Sequence, residues 1–410
     1  MDDPLTSTRS LGDLAFWSRP AIERGEVFDE LRRTEPVSRQ PLVGPGRGYF
    51  WALTRLADVQ HVSRTPELFC SGRGVGLGEI PPEVLELNTS FLMMDAPEHT
   101  ALRRVVSSAF TPRRVAQLDE AITARATAIV DEFVERGSDD VVEHLSMKLP
   151  LWTISTMMGI PESMQPEFVA AAEAQVASQD PDFRREGTES MAVMLEATAT
   201  LHRLAAELVA LRRAEPTDDV FSTLVHAEVD GEPLSDRMLG GIFVLFAVAG
   251  NDTTRNSTSH GIKFLADNPG EWQRLVSDRT LVNSAVEEIV RCASPVIHFR
   301  RTATADTEID GVPVAEGDPV VLFYEAADRD PEAFDDPWRF DIGRTPNHHV
   351  AFGGGGPHFC LGANLARAQL RAVFTRLVER AASVEAGAPD YLTSNFVHGI
   401  KRMPVTVTPR

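Results

Sequence analysis

The chain has 410 residues, of which 43% are hydrophobic and 24% are charged, and its formal net charge at pH 7 is −20. This composition predicts a folded globular protein with a large core, and the negative charge argues against nucleic acid as a partner. The three cysteines, Cys70, Cys292 and Cys360, indicate a reducing compartment and no disulfide framework, so we expect a cytoplasmic protein.

Neither a signal peptide nor a membrane anchor is predicted. Residues 1–4 are acidic and lack the apolar segment that a signal peptide requires. The longest uncharged apolar run, residues 238–250, is shorter than the roughly 20 residues needed to cross a bilayer. We therefore expect no integral membrane association.

The first part of the chain combines helix and strand patterns with a glycine-rich segment. Residues 21–33 have helical spacing, and residues 49–53 favour a strand. Four glycines between residues 72 and 78 predict a long irregular loop, which in a compact enzyme is often a lid or a binding loop. A plain surface loop explains this segment equally well when it is taken alone.

A helix is predicted to follow Asp95, a suitable N-cap residue with Glu98 three positions later. His99 and Arg103 are four residues apart, so both lie on one face of this helix. Two cationic donors on one face would suit a pair of carboxylates. A solvated basic helix is the alternative, and this segment alone favours it.

The longest predicted helix begins near Ser235 and ends near Asn268, a length of roughly 50 Å. Residues 241–249 are apolar on every side of this helix, so we expect it to be buried.

The middle of this helix carries an unusual group of residues. Gly250 weakens the helix by about 1 kcal/mol relative to alanine, and Asp252 is a charged residue in a buried segment. The Thr253 hydroxyl can bond to a carbonyl four residues earlier or open a local bulge. Ala249 and Gly250 leave room for a flat ligand, whereas a kinked core helix with internally satisfied hydroxyls is the alternative.

The segments after this helix supply a possible ion pair and further strands. Glu288 and Arg291 lie three residues apart on a helix that ends before Pro295, and such a pair is usually a weak surface contact. Residues 296–304 favour a strand, and residues 393–408 favour a terminal hairpin with strands at 393–399 and 403–408.

Four consecutive glycines, residues 353–356, precede Cys360 and a helix that starts near Ala363. A glycine run loses much backbone entropy on ordering, so it persists where a backbone must approach another group closely. The start of a helix favours a thiolate over a thiol, and a thiolate is a suitable ligand for iron. A buried structural cysteine is the alternative, while a phosphate loop is weaker because no Gly-Lys-Ser/Thr follows.

Residues 352–362 resemble the haem-ligand loop of the cytochrome P450 family. Gly356, His358, Cys360 and Gly362 have the spacing of the family pattern. Phe352 lies one residue further out, which predicts one extra glycine in the loop. Together with the His-Arg helix, the acid-alcohol helix and the Glu-x-x-Arg helix, this loop gives four motifs in the order of the family.

The resemblance implies one domain, residues 1–410, of the mostly α (α+β) cytochrome P450 fold. This fold has a large helical lobe, a smaller β-rich lobe and a long central helix. It also implies haem b as cofactor, with Cys360 as the iron ligand. The residues that it assigns to the cofactor are His99, Arg103, Ala249, Arg301, His358, Cys360 and Gly362.

Two further groups of residues follow from the resemblance. Asp252 and Thr253 would deliver protons during oxygen activation, and Glu288, Arg291 and Arg339 would form a structural network. The residues expected to line the substrate pocket are Leu92, Phe246, Val296, Ile297, Phe396 and Val397.

The implied function is that of a monooxygenase that hydroxylates an unactivated C–H bond of a lipophilic substrate. It would use O2 and two electrons from a ferredoxin and ferredoxin reductase, and it would act as a monomer. Residues 249–256, 353–356 and 399–401 are similar to actinobacterial members that hydroxylate sterol side chains, methyl-branched lipids and terpenoids. The alternatives are a haem-thiolate sensor without turnover and a peroxide-driven enzyme, and Thr253 disfavours both.

Overall fold

We describe the protein from a computed structural model that covers residues 10–43, 46–79, 85, 89–108, 112–184 and 188–410, with the backbone alone at 108 and 112–117. The α-helices are α1 (Leu14–Trp17), α2 (Ala21–Thr34), α3 (Leu56–Arg64), α4 (Glu98–Ser108), α5 (Pro112–Arg136), α6 (Lys148–Met158), α7 (Gln165–Ala177), α8 (Ser190–Ala214), α9 (Val220–Val225), α10 (Asp236–Asp267), α11 (Pro269–Ser277), α12 (Val282–Ala293), α13 (Tyr324–Ala327) and α14 (Ala363–Arg380). A single π-helical turn spans Val142–Ser146, and short 3-10 turns span Phe91–Met93, Pro181–Phe183 and Arg279–Leu281.

The helical lobe is built around α10, which was predicted at these bounds. The Ser235 hydroxyl caps the helix by accepting a hydrogen bond from the Met238 amide. The helix then continues for 32 residues, or about 48 Å. Its apolar first half lies in a core cluster with α6, α7, α8 and α9, and its second half contacts α12 and α14. A helix with apolar residues on all sides is stable only when surrounded in this way.

The β-rich lobe contains a five-stranded sheet in the order β1-β2-β10-β7-β3. Its strands are β1 (Val37–Pro41), β2 (Tyr49–Leu53), β3 (Phe69–Cys70), β7 (His298–Ala303) and β10 (Pro319–Phe323). The β2–β10 pair is parallel and the other pairs are antiparallel. Every residue of β10 is buried, as expected for a central strand that is covered on both faces.

Four smaller sheets in the described part of the chain complete the fold. A three-stranded sheet has the order β11 (Ala381–Ala386), β14 (Pro404–Pro409), β4 (Ser138–Asp140). The two-stranded sheets are β5 (Glu228–Val229) with β6 (Glu232–Pro233), β8 (Thr307–Ile309) with β9 (Val312–Val314), and β12 (Asp390–Tyr391) with β13 (Ile400–Arg402). The predicted mostly α architecture with a smaller β-rich lobe is confirmed.

Two local predictions are corrected. Residues 393–399 are not a hairpin strand, since the Thr393 and Asn395 amides bond to the side chains of Asp180 and Gln179. Asp95 does not cap α4 with its side chain. Its carboxylate accepts hydrogen bonds from the Ser71 and Gly72 amides, and so fixes the start of the glycine-rich loop.

The glycine-rich loop is also fixed from its other end. The buried Arg300 side chain donates hydrogen bonds to the carbonyls of Arg73, Gly74 and Gly78. Within the described part of the chain, no helix has both the length and the apolar character needed to cross a bilayer.

Candidate active site

The cysteine loop is held against α3 by close backbone contacts. The Cys360 amide donates to the Phe352 carbonyl at 2.9 Å, and α14 begins three residues later. A Cβ atom at Gly356 would lie 2.2 Å from the Ser63 carbonyl oxygen, and one at Gly354 would lie 2.5 Å from the Ser63 hydroxyl. Glycine is therefore required at both positions. The loop accommodates its extra residue with left-handed backbone at Gly353, Gly355 and Gly356.

The Cys360 side chain opens onto an apolar cavity between α10 and α14. Burial raises the pKa of this thiol, while the Gly362 and Ala363 amides and the guanidinium groups of Arg103 and Arg367 act in the opposite direction. Amides and cations around a sulfur stabilise a thiolate, which is the form that binds metals. Cys360 therefore has the surroundings of a metal ligand.

The cavity together with its opening to solvent contains about 1400 Å³ of space that protein atoms do not fill. One face of α10 forms its wall opposite the cysteine, because the lining residues recur at three- and four-residue intervals. These residues are Leu245, Phe246, Ala249, Gly250, Thr253, Thr254 and Ser257. Gly250 is needed for packing here, since a Cβ atom would lie 2.7 Å from Ile154 Cδ1 on α6.

Four side chains that can carry positive charge meet beside the cysteine loop. The His99 and His358 rings lie 4.3 Å apart. Burial and the guanidinium groups of Arg103 and Arg301 lower the pKa of both imidazoles, and His99 also lowers the pKa of His358. His358 Nε2 is 3.1 Å from the Ser71 hydroxyl, while His99 Nε2 is buried without a hydrogen-bond partner. Arg103 donates to the Phe359 carbonyl, and Arg301 donates to the Arg300 carbonyl at 2.8 Å.

Arg301 is only 4% exposed, and no carboxylate of the described residues lies within ion-pair distance of it. A buried arginine without an anion is costly unless a ligand supplies one. A flat, largely apolar group with an iron atom and two carboxylates would satisfy Cys360, His99 and the two arginines together. The residues present therefore fit haem.

The acid and the alcohol in the middle of α10 face different directions. Thr253 lines the cavity, and its hydroxyl donates to the Ala249 carbonyl at 2.9 Å. Asp252 is 2% exposed and points away from the cavity, with Oδ1 3.5 Å from Arg255. Burial raises the pKa of Asp252 to about 6, Arg255 lowers it, and Glu173 on α7 raises it.

Glu288 and Arg291 form a fully buried ion pair rather than a surface one, with contacts of 2.8 Å. The second guanidinium on Glu288 belongs to Arg344, at 3.1 Å, and not to Arg339 as predicted. Arg339 joins the network only through its backbone carbonyl, which accepts from Arg291 and Arg344. The chain turns between these two arginines, so Arg344 is the one that faces α12.

The predicted pocket residues divide into two groups. Leu92, Phe246 and Val296 line the cavity. Ile297 is corrected: it lies in the core cluster that contains Phe323, because neighbouring residues of an extended segment point to opposite sides.

Phe396 and Val397 are corrected in the same way. The Phe396 ring contacts Phe299, which lines the cavity, at 5.6 Å and so lies one layer behind it. Val397 forms a bridge with Val296. Sequence reasoning missed Phe299 and the α6 residues Thr153, Ile154 and Met157. Their apolar spacing was visible, but it does not tell core from cavity.

Comparison with known proteins agrees with this geometry. Residues 82–382 match the sequence model of the cytochrome P450 family. The chain is 42% identical over 406 residues to a methyl-branched lipid omega-hydroxylase of Mycobacterium tuberculosis, covering 97% of this chain and 94% of that protein. It is 36% identical over 393 residues to a steroid C26-monooxygenase of Mycolicibacterium smegmatis, covering 93% and 90%.

A cytochrome P450 of Mycobacterium marinum, solved in complex with pseudoionone, is 48% identical, has a TM-score of 0.93 and is covered over 98% of both chains. The chain therefore belongs to the cytochrome P450 family. It is a haem-thiolate monooxygenase with haem b as its cofactor, an oxidoreductase that incorporates one atom of O2 into its substrate.

Proposed function

We propose that the enzyme hydroxylates an unactivated C–H bond of a lipophilic substrate, namely a methyl-branched fatty chain, a terpenoid or a steroid. The apolar cavity carries this proposal: its basic lining residues among those described are Arg103 and His358, and both lie on the side of the cysteine loop. Each CH2 group buried in such a cavity contributes about 0.8 kcal/mol. The activities named for the relatives, on branched lipids and steroids, support the same class of substrate.

Cys360 is the proposed iron ligand, because it is the one of the three cysteines that lines the cavity. His99, Arg103, Arg301 and His358 would hold the two haem carboxylates, and Ala249 and Gly362, which line the cavity, would also contact the cofactor. When bound, haem supplies the redox and oxygen chemistry, which the thiolate promotes by donating electron density.

Thr253 and Asp252 are the proposed proton-transfer residues. The Thr253 hydroxyl is the polar group that α10 presents to the cavity beside Ala249. Asp252 has a pKa of about 6, so it can gain and lose a proton near neutral pH. We infer that Asp252 takes protons from the outer side of α10 and passes them on at the Thr253 side.

Electrons are proposed to come from a ferredoxin and its reductase, with the enzyme acting as a cytoplasmic monomer of one domain. Around the cysteine loop, Arg104 is exposed and Arg371 is half-buried, whereas Arg367 is paired with Glu287. The side chains of Arg113 and Arg114, part of the same predicted basic patch, lie outside the described residues. An acidic ferredoxin would be attracted to this patch, and its reduction of the enzyme would slow as salt increases.

The substrate class is tested with a homologous series of methyl-branched chains, using the spin-state change of the haem as the binding signal. Affinity should rise with chain length up to a limit, and product should form with ferredoxin and reductase present. A preference for small or strongly polar ligands would contradict the proposed substrate. Tight binding without any product would favour a sensing role instead.

A further inference from the structure

One arginine on α10 lies between two carboxylates. Arg255 Nη1 is 2.8 Å from Glu173 Oε1 on α7 and 3.5 Å from Asp252 Oδ1 on its own helix. The first distance is a hydrogen bond, and the second is too long for one. Arg255 and Asp252 are 7% and 2% exposed, so the two carboxylates compete for a buried guanidinium group.

The pairing leaves Asp252 incompletely satisfied. Asp252 Oδ2 and Arg255 Nε are both buried without hydrogen-bond partners. A carboxylate that received the full fork of an arginine would have two charge-assisted bonds and would be fixed as an anion. Asp252 does not receive these two bonds, because a terminal nitrogen of Arg255 donates its hydrogen bond to Glu173 instead.

We propose that Glu173 is a positioning residue that keeps Arg255 off Asp252 and thereby leaves Asp252 free to exchange protons. This inference rests on the proposed proton-transfer role of Asp252. Without the Glu173 charge, Arg255 would turn to the nearest remaining carboxylate, which is Asp252.

The electrostatics of the site agree with this arrangement. The charged groups that act on Asp252 are Arg255 on α10, which lowers its pKa, and Glu173 on α7, which raises it, after the larger effect of burial. The other helices packed on this part of α10, α6 and α8, add no charged group that shifts Asp252. One glutamate therefore controls the partner of the buried acid.

Glu173 also connects the acid to a neighbouring helix. Its side chain is 27% exposed and lies on α7, which packs across α10 and α8. When α7 is seated, Arg255 is held by Glu173; if α7 moves outward, Arg255 is released to Asp252. The hydrogen bond that holds Arg255 therefore depends on the packing of α7 against α10.

The test measures Asp252 itself. Infrared difference spectra of the haem-loaded protein against Asp252→Asn isolate the protonated carboxyl band of Asp252, which is followed from pH 4 to pH 8. Glu173→Gln should move the midpoint of this band to lower pH by about one unit or more, because Arg255 then binds Asp252. Arg255→Gln should move it in the opposite direction.

Glu167→Gln is the matched control on α7, since Glu167 pairs with the exposed Arg203 at the protein surface. It should leave the band unchanged, and Glu173→Asp should restore most of the parent midpoint. In turnover, the pH below which product per electron changes should move with the band in Glu173→Gln.

An unchanged band in Glu173→Gln, or a shift in the same direction in Arg255→Gln, would overturn the inference. If one variant does not fold, the other still decides the sign of the shift. The infrared band can be measured without substrate. If Glu173→Gln lowers its midpoint and Arg255→Gln raises it, but the enzyme forms no hydroxylated product, the proposed function is contradicted and the role of Glu173 is retained.

Discussion

Thr253 lines the cavity, and its hydroxyl is held by a hydrogen bond to the Ala249 carbonyl of the same helix. Thr253→Ala should bind substrate normally but divert reduced nicotinamide to hydrogen peroxide, because the hydroxyl no longer orders proton delivery. Product and peroxide per nicotinamide are the measurement. Thr258→Ala is the control, since Thr258 makes the same type of bond, to Thr254, away from the cavity. If both variants form the same amount of product per nicotinamide, Thr253 has no role in proton delivery.

Asp252 should also make stability depend on pH. Burial raises its pKa from 3.8 to about 6 in the folded chain. A raised pKa means that the protonated acid stabilises the fold at low pH and that this contribution is lost as pH rises through about 6. The difference between these two pKa values corresponds to about 3 kcal/mol in the free energy of unfolding. Asp252→Asn should therefore match the parent near pH 4 and exceed its Tm near pH 7, as measured by calorimetry. Parallel Tm curves would contradict this prediction.

Cys360 is expected to be irreplaceable as the iron ligand. Cys360→His should retain haem but lose the red-shifted carbon monoxide band that thiolate ligation produces. Cys70→Ser is the control, because Cys70 lies in β3 outside the cavity lining. A band that survives in Cys360→His and disappears in Cys70→Ser would refute the assignment.

At this scale the sequence predicted which residue types matter but not always where they point. Cys360, Thr253 and Val296 reach the cavity as expected. Ile297 does not, because the register of an extended segment, which decides the side that each residue faces, depends on pairing with distant strands. Asp252 and Thr253 were predicted to share proton delivery; Thr253 lines the cavity and Asp252 points away from it, because one step along a helix turns a side chain by about 100°.

Among the elements, α12 depends on one buried ion pair. Glu288 and Arg291 have fully buried side chains, and Glu288 also holds Arg344, Asn347 and the Asp341 amide. Glu288→Gln should destabilise the fold by about 3–5 kcal/mol, because it leaves a buried arginine uncompensated. Urea unfolding of the haem-loaded protein measures this loss.

The control is Arg279→Gln, whose surface pair with Glu379 is half-exposed. It should cost about 0.5 kcal/mol or less. Similar midpoints for the two variants would show that the Glu288 network is not a determinant of stability. The sequence identified Glu288 and Arg291 from a local spacing of three. It could not identify Arg344, because the path of residues 335–347 is decided by their packing on α12.

On the scale of the whole molecule, a cluster of ion pairs connects the segment after α7 to strand β13 near the C-terminus. Lys401 on β13 pairs with the buried Asp180 at 3.2 Å and with Asp182 at 2.7 Å. Asp180 follows α7 and precedes α8, so this contact holds the start of the α7–α8 connection against β13.

Lys401→Met should loosen that connection, because it leaves the buried Asp180 without its cation. Hydrogen exchange in α7 and the start of α8 should rise several-fold, and a lipophilic ligand should associate faster. Arg402→Met is the matched control, since Arg402 binds Asp182 and Asp390 from a largely exposed position. Exchange that rises equally in both variants, or in neither, would contradict the role of Lys401.

The overall architecture was predictable because long helices have strong local signals, and α10 was found at its true bounds. The terminal hairpin was not, since residues 393–399 follow hydrogen bonds to Gln179 and Asp180 rather than their own alternating pattern. Contacts between distant segments, such as those of Lys401 with Asp180 and Asp182, produce no sequence pattern in either segment alone.

The meeting of His99, Arg103, Arg301 and His358 beside the cysteine loop bears on how the protein is assembled in the cell. Newly made chains bring Arg103 and Arg301 from distant parts of the sequence to this corner, where repulsion between the two desolvated guanidinium groups opposes closure. The two haem carboxylates that we propose to lie here would end that repulsion, so the cofactor would complete folding as well as supply the oxygen chemistry. A cell that is short of haem should therefore accumulate chains that proteases open first at this corner, and the supply of haem would set the amount of enzyme that survives.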